Sequence, residues 1–225
     1  MTRHSKANDE RIQREVIAEL AWSHRVRSPE IGVTVSDGIV TLSGVVGSWA
    51  ERLAAREAAQ RVPGVLDIAD EIDVRYDGAR ARTDADIAEA VRSALEWDVL
   101  VPEQRIRSTV TSGVVHLEGT VERWADRDEA ARCIQNLEGV RQVENDIKVE
   151  PTVAGPAPRE LHRTIESALE RHAHRAAKHV HIAIDSGDVT LTGRVPSWVE
   201  REAVEGAVRG TTGVRHIVNR LAIEP

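Results

Sequence analysis

The chain has 225 residues, a formal charge of −7 at pH 7 and an apolar fraction of 41%. No apolar run approaches the ~20 residues that a transmembrane helix needs, and the charged N-terminus lacks the apolar core of a secretory signal. A nucleic-acid binder usually carries a basic face, whereas the acidic excess of this chain is concentrated in residues 76–150. We therefore expect a cytoplasmic protein with no transmembrane segment and no nucleic-acid partner.

One segment occurs three times along the chain, with equivalent residues 75 positions apart between the first two copies and 74 apart between the last two. The shared positions are Gly38, Gly44, Gly64, Gly113, Gly119, Gly139, Gly187, Gly193, Gly213, Trp49, Trp124 and Trp198. A repeat of this length is a small domain rather than a solenoid unit. We predict module one at residues 1–75, module two at 76–150 with a linker at 76–83, and module three at 151–225 with a Pro-rich linker at 151–158.

Each module is predicted to open with an amphipathic helix. In module one, Ile12, Val16 and Leu20 recur at every fourth position and form one apolar stripe. Trp22 ends this helix, Trp97 ends its equivalent in module two, and Arg171 takes the position in module three. We interpret the two tryptophans as contact residues between the first two modules.

A β-hairpin is predicted to follow, because apolar residues alternate on both sides of the turn sequences SDG, TSG and DSG. The glycine of each turn can adopt a positive φ without steric cost. Gly44 and its equivalents lie on the apolar face of the second strand, where glycine weakens a strand. We expect the backbone of a helix to approach closely at these positions, with a β-bulge as the alternative.

A second helix and a third strand are predicted to complete each module. The segments Ser48–Glu51 and Ser197–Glu200 fit a capping box, whereas Arg123 should make a weaker cap in module two. Each helix should end at a glycine before the last strand, whose polar Asp70, Asn145 and Asn219 we interpret as structural. The predicted fold is α+β: three tandem αββαβ modules, each with a small three-stranded mixed sheet and two helices on one face.

The linkers between the modules differ in composition. Residues 76–83 are short and polar, whereas residues 151–158 contain three prolines. A proline-rich linker is extended and semi-rigid. We therefore expect module three to be held away from the first two modules, which pack closely together.

The repeated motifs resemble those of the BON domain family. They read DGIVTLSGVV with GVLDIADEIDV, SGVVHLEGTV with GVRQVENDIKV, and SGDVTLTGRV with GVRHIVNRLAI. Module one departs from the family pattern at Asp70, where the family usually has Asn. The resemblance implies a small α/β module without catalytic activity that binds phospholipid or other envelope components. It also implies a transport-associated or osmotic-stress role.

The residues themselves indicate no enzyme. No nucleophile, base and orienting group recur together, and the Gly-rich turns lack the GxxxxGK[ST] pattern of a phosphate-binding loop. We predict no catalytic residue and no cofactor.

The tryptophans that begin the second helices, Trp49, Trp124 and Trp198, allow two interpretations. They either close the edge of a core or act as exposed contacts for lipid or a protein partner. Three basic residues of module three are further candidate contacts: Arg171, Arg175 and Lys178.

Module three also contains the histidines His172, His174, His179 and His181. The favoured interpretation is a solvated basic surface. A metal site is the weaker alternative, since it needs three or four converging ligands, and a surface that becomes cationic in mild acid lies between the two.

Three functions remain open. The first is a tandem binding protein that contacts phospholipid or an envelope-associated partner through several weak sites. The second is a cytoplasmic protein-interaction scaffold in which an open sheet edge accepts a strand. The third is a stress protein that responds to ions or metal. The sequence leaves the oligomeric state open.

Overall fold

A computed structural model describes residues 3–26, 31–76, 82–151, 156–172 and 179–224. Within these ranges the chain repeats one order of elements, helix, strand, strand, helix, strand, three times. This is the predicted α+β fold of three αββαβ modules. A single turn of 3₁₀ helix, Glu103–Arg105, precedes the first strand of module two.

The element bounds agree closely between modules except for α1, which has 20 residues where α3 has 14 and α5 has 15. Module one contains α1 (Arg3–Trp22), β1 (Ile31–Ser36), β2 (Ile39–Val46), α2 (Trp49–Gln60) and β3 (Asp67–Val74). Module two contains α3 (Asp84–Trp97), β4 (Ile106–Thr111), β5 (Val114–Val121), α4 (Trp124–Ile134) and β6 (Gln142–Val149). Module three contains α5 (Pro158–His172), β7 (Val180–Asp185), β8 (Asp188–Val195), α6 (Trp198–Arg209) and β9 (His216–Ile223).

Each module has its own three-stranded mixed sheet. The second strand lies in the centre, antiparallel to the first strand and parallel to the third, so the strand orders are β1-β2-β3, β4-β5-β6 and β7-β8-β9. The second helix of each module makes the crossover that a parallel pair requires. Because only three strands pair, the first and third strands of every sheet are edge strands.

The apolar stripes of the first helices form the core as predicted. Ile12, Val16 and Leu20 of α1 are fully buried against Val40 and Leu42 of the central strand. The equivalent stripe residues of α3 and α5 are buried in the same way. Val, Ile, Leu and Ala therefore build these cores, as expected for a chain without Phe.

The hairpins turn through two residues with positive φ in every module. The φ values are 50° and 77° at Asp37 and Gly38, 52° and 79° at Ser112 and Gly113, and 51° and 95° at Ser186 and Gly187. Positive φ at both central positions is the type I′ turn that two-residue hairpins prefer. The predicted tight turns are confirmed, although a non-glycine residue also takes positive φ in each.

The reason expected for glycine in the second strand, the close approach of a helix backbone, is wrong. Gly119 and Gly193 have φ values of 139° and 129°. A Cβ atom there would lie 2.1 Å from the carbonyl oxygen of Arg105 and 2.0 Å from that of His179. These carbonyls immediately precede the neighbouring edge strands, so the glycine accommodates a close approach within the sheet rather than a helix.

The chain divides into two compact units. One is built on module one, Met1–Ala81 with Ser197–Val199, and the other on modules two and three, Arg82–Pro196 with Glu200–Glu224. In the second unit, Trp124 of module two packs against the core of module three. The expectation that the Pro-rich linker holds module three away from module two is therefore wrong, because the linker permits direct packing between them.

Candidate functional site

The three tryptophans that begin the second helices are half-buried. Trp49 packs against the core of module one, and Trp198, which is grouped with the first unit, packs against the same core. This burial favours the packing alternative for these residues. Their role as lipid or partner contacts stays a prediction.

An arginine one helical turn later stacks on the indole ring in modules one and two. The guanidinium carbon lies 5.4 Å from the ring centroid for Arg52 over Trp49, and 5.3 Å for Arg127 over Trp124. Arg127 also donates to the carbonyl oxygens of Asn145 (2.5 Å) and Ile147 (3.0 Å). Burial lowers the pKa of the Arg127 guanidinium, which nonetheless stays charged because the pKa of arginine is so high.

Arg209 of module three completes the contact between modules two and three. Its guanidinium carbon lies 5.6 Å from the centroid of the Trp124 ring, and its Nη1 atom lies 3.5 Å from a carboxylate oxygen of Asp128. Trp124 is thus contacted by two arginines, one from each module. A cation over an aromatic face is attracted by the ring quadrupole, so this arrangement stabilises the docking of module three on module two.

The polar residues of the last strands are structural, as interpreted from the sequence. In module one, Asp70 accepts hydrogen bonds from the Ile72 amide (3.2 Å) and from Arg52 Nε (3.0 Å). In module two, Asn145 accepts from the Ile147 amide at 3.2 Å and donates to the Arg127 carbonyl at 2.8 Å. Each side chain ties its strand to the second helix, and Asn219 similarly reaches Glu205 at 2.8 Å.

The caps of α2 and α4 differ as predicted, and the cap at Ser197 stays a prediction. Ser48 Oγ accepts a hydrogen bond from the Glu51 amide at 3.1 Å, and the Glu51 carboxylate accepts one from the Gly47 amide at 3.0 Å. Arg123 provides no side-chain cap for α4. It instead pairs with the buried Asp126 at 2.7 Å, and this hydrogen bond raises the pKa of Arg123.

Trp22 and Trp97, at the ends of α1 and α3, are among the most exposed large apolar residues of the described chain. Trp22 is 80% exposed and Trp97 is 86% exposed. Val99 and Leu100, which follow Trp97, are 95% and 59% exposed. The contact between modules one and two that we inferred for these tryptophans stays a prediction.

The sequence held a signal for this exposure that our interpretation missed. Each tryptophan follows a buried stripe residue, Leu20 or Leu95, by two positions. Two positions are about 200° around an α-helix, since 3.6 residues make one turn. The tryptophans therefore lie on the face opposite the core, and with Val99 and Leu100 they form what we call the helix-one tips.

The basic and histidine candidates of module three are only partly described. Arg171, His172, His179 and His181 are exposed, whereas His174, Arg175 and Lys178 lie outside the described residues. In the described part of the chain, no group of three His, Cys, Asp or Glu side chains could hold a metal ion.

The thiol of Cys133, the single cysteine of the chain, is unreactive at neutral pH. Burial raises the pKa of Cys133 to about 11, so almost none of it is the reactive thiolate at neutral pH. Separately, none of the helices in the described ranges is long and apolar enough to cross a membrane.

Comparison with known proteins identifies the repeat. The family model of the BON domain matches residues 8–76, 83–151 and 159–225. The chain is 33% identical over 150 residues to the osmotically-inducible protein Y of Escherichia coli (strain K12), an alignment that covers 63% of this chain and 72% of that protein.

Two solved structures show only distant similarity. CdsD, a structural protein of the type III secretion system of Chlamydia trachomatis, is 14% identical with a TM-score of 0.27, over 94% of this chain and 91% of that chain. The periplasmic domain of the inner membrane protein PrgH from S. typhimurium is 11% identical with a TM-score of 0.21, over 87% of this chain and 95% of that chain. Scores this low carry no argument about this chain.

Proposed function

The chain belongs to the BON domain family, and on that premise we propose that it is a non-catalytic binding protein of the osmotic or envelope stress response that contacts phospholipid. The name of its E. coli relative supports the stress role. The resemblance of the module to a phospholipid-binding family supports the ligand class. The helix-one tips of the structure carry the proposal.

The helix-one tips have the chemistry of an interfacial anchor. Trp97, Val99 and Leu100 are adjacent and exposed, whereas large apolar residues on the surface of a monomer are more often scattered singly. Tryptophan favours the headgroup level of a bilayer because its ring is apolar and its N–H is polar. Inserting one such tip would remove a large apolar side chain from water, which is worth roughly 1.5–3 kcal/mol.

The number of tips compensates for weak individual anchors. Module one presents Trp22 and module two presents Trp97. Two weak sites on one chain gain affinity because the second contact becomes intramolecular. Module three has Arg171 at the equivalent position, and this exposed cation favours anionic headgroups.

Co-sedimentation with vesicles tests this function directly. Pure protein is mixed with anionic or zwitterionic vesicles at pH 7.5 and pH 5.5 while tryptophan fluorescence is recorded. We expect binding to anionic vesicles with a blue-shifted signal. Absence of binding to both vesicle types at both pH values would refute the phospholipid ligand.

Salt separates the two contributions to vesicle binding. Added salt should weaken the part of vesicle binding that depends on Arg171, and should leave the insertion of Trp22 and Trp97 largely unchanged. Trp49, Trp124, Trp198, Arg175 and Lys178 stay predicted contacts. Their substitution should reduce vesicle binding only if they also touch lipid.

The cytoplasmic location stays a prediction, tested by cell fractionation.

A protein-interaction scaffold is the second candidate, because the edge strand of module three is open. In module one, Gln13 of α1 donates from Nε2 to the carbonyl oxygen of Val33 on edge strand β1 at 2.7 Å. In module three a groove of about 550 Å³ separates α5 from β7 and is lined by His162 and Ile182, the equivalents of Gln13 and Val33. An exposed strand edge can accept an extended peptide.

Crosslinking in cells separates the two candidates. A scaffold would yield a defined protein partner whose capture falls when Ile182 is replaced by proline, because proline removes an N–H donor from the strand edge. A chain that binds vesicles and shows no such partner supports the phospholipid function.

A further inference from the structure

In modules one and two, a carboxylate on the first helix holds the hairpin turn: Asp9 lies within α1, and Asp84 is the first residue of α3. The two oxygens of Asp9 accept hydrogen bonds from the amides of Asp37 and Gly38, both at 3.0 Å. Each oxygen accepts one hydrogen bond, so both oxygens of the Asp9 carboxylate are bound. We call this arrangement the turn clasp.

Module two repeats the turn clasp with the same geometry. The oxygens of Asp84 accept from the amides of Ser112 at 2.7 Å and Gly113 at 2.9 Å. Hydrogen bonds to an ionised acceptor are stronger than those between neutral groups. The type I′ turn of this fold is therefore a carboxylate receptor, and two of its copies are filled from within the chain.

Module three keeps the receptor and lacks the internal carboxylate. The repeat spacing places Pro158 where Asp9 and Asp84 stand. Ser186 has nearly the same φ as its equivalents, 51° against 50° and 52°, and Gly187 also has a positive φ, 95° against 77° and 79°. Within the described ranges, no side chain accepts a hydrogen bond from the Ser186 or Gly187 amide, and the Ser186 hydroxyl donates to Asp185 at 3.1 Å.

A cavity lies where the clasp carboxylate would be. Its volume is about 230 Å³, and its lining includes Pro158, Leu161, Ser186, Gly187 and Arg215. Proline has no side-chain acceptor and no backbone N–H. Pro158 therefore neither accepts from the turn amides nor adds a donor of its own to the cavity. The volume is large enough for a small carboxylate, whose oxygens would reach both amides.

Arg215 is a basic residue in the lining of this cavity and is held against the turn, as Arg141 is in module two. Its backbone N–H donates to the Gly187 carbonyl at 2.8 Å, and its side-chain stem lies beside Gly187. Asp185 and Asp188 flank the turn and are exposed, so their charges oppose an anion. The balance favours a ligand that uses both amides and Arg215 together.

We propose that the turn of module three binds a carboxylate group supplied from outside the module, in the position that Asp9 and Asp84 occupy in the other two modules. The ligand class is a carboxylate, because the chain itself places that group on the equivalent amides twice. This site is independent of the helix-one tips and of phospholipid binding.

Amide shifts in a ¹H–¹⁵N correlation spectrum of the full chain test the site. Sodium acetate is added against sodium chloride at equal ionic strength. We expect saturable shifts at the Ser186 and Gly187 amides. The chemical shifts of the Gly38, Ser112 and Gly113 amides should not change, because these amides already donate to the carboxylates of Asp9 and Asp84. Absence of a saturable shift at Ser186 and Gly187 would overturn the proposal.

Substitution of Pro158 provides a matched pair of variants. Pro158→Asp restores the internal carboxylate and should weaken the acetate response at least about tenfold, a change of about 1.4 kcal/mol. Pro158→Ala removes the proline without adding a carboxylate and should keep the response. An acetate response that is equal in Pro158→Asp and Pro158→Ala would contradict the site.

The reverse change creates a second receptor in module two. Asp84→Ala removes the clasp, so acetate should now shift the Ser112 and Gly113 amides as it shifts those of module three. If Asp84→Ala fails to fold, the wild-type titration and the Pro158 pair still decide the proposal.

Different probes distinguish the source of the carboxylate. An acetylated tripeptide with a free C-terminus is compared with its amide and with acetate. Tighter binding of the tripeptide acid than of acetate indicates a carboxylate on a partner chain, whereas equal binding indicates a small free anion. Binding of inorganic phosphate without binding of either carboxylate would overturn the proposed ligand class.

Discussion

Module two has a tryptophan at the end of its first helix and another at the start of its second, and their surroundings are opposite. Trp97 is 86% exposed at the end of α3. Trp124 is half-buried, lies against the core of module three and is stacked by Arg127 and Arg209. The comparison teaches that one residue type has two different surroundings in one module: Trp124 lies in the contact between modules two and three, and Trp97 is exposed at a helix end.

The largest effect should come from Trp124→Ala. We expect it to lower the free energy of unfolding of the second unit by about 3 kcal/mol, the lower end for truncating a large aromatic residue, because the ring is only half-buried. Chemical unfolding followed at amides of module three measures the change.

The matched control for this prediction is Trp124→Phe. Among the described residues, Trp124 Nε1 is buried without a hydrogen-bond partner. Phe keeps an aromatic face and loses no hydrogen bond, so it should cost much less than Ala. A loss below about 0.5 kcal/mol for Trp124→Ala would show that Trp124 does not join the modules.

The next largest effect should appear in vesicle binding. Trp97→Ala should weaken partition into anionic vesicles by about tenfold, from the lost burial of one large side chain. It should change the free energy of unfolding by less than about 0.5 kcal/mol, because the residue is exposed. Trp22→Ala should behave in the same way.

Ile39→Ala is the control for exposure alone. Ile39 is a partly exposed apolar residue on β2, away from the helix-one tips. If Ile39→Ala reduced vesicle binding as much as Trp97→Ala does, the helix-one tips would not be the specific contact.

A smaller effect concerns the first turn of the second helix, which carries the packed tryptophan. Ser48→Ala removes the cap of α2 and should lower the free energy of unfolding of module one by about 1 kcal/mol. Arg123→Lys removes no cap hydrogen bond and keeps a cation beside the buried Asp126 carboxylate, so it should cost about 0.5 kcal/mol or less. Thermal melts of both variants measure the difference, and equal losses would contradict it.

The smallest effect concerns the beginning of α3, at the other end of the helix that carries Trp97. Thr83 and Asp86 form a capping box, and the hydrogen bonds from Thr83 lower the pKa of Asp86 below 3.8. A carboxyl whose pKa is lowered by folding stabilises the fold above its unfolded pKa and loses that contribution as the pH falls through its folded pKa.

Thr83→Ala should therefore raise the pKa of Asp86 towards 3.8 and make stability less dependent on pH in strong acid. Carboxyl titration by NMR measures the pKa directly. An unchanged pKa in Thr83→Ala would mean that the Thr83 side chain does not hold Asp86.

Much of the fold could be predicted from local patterns. The stripe of Ile12, Val16 and Leu20 requires one buried helix face, and the glycine turns require hairpins. These signals depend on a few neighbouring residues. They can therefore be recognised in all three modules, although the three sequences are not identical. The role of Asp70 and Asn145 followed from the cost of an unpaired polar group on an apolar face.

The candidate sites could be predicted only in part. Asp9, Asp84 and Pro158 are equivalent positions of the repeat, so the difference between modules could be seen in the sequence, but nothing local connects a residue of the first helix to a turn 28 residues away. Likewise, the exposure of Trp22 follows from its helix face, yet a neighbouring module could have covered it.

The sequence by itself determined the three modules, the order of their elements, the buried helix faces and the positions that need glycine. Only the tertiary structure decided which tryptophan is packed, which turn amides already hold a carboxylate, and that modules two and three dock directly. The physical reason is range: periodicity and turn chemistry depend on adjacent residues, whereas Trp124 and Arg209 meet only because two folded surfaces are complementary.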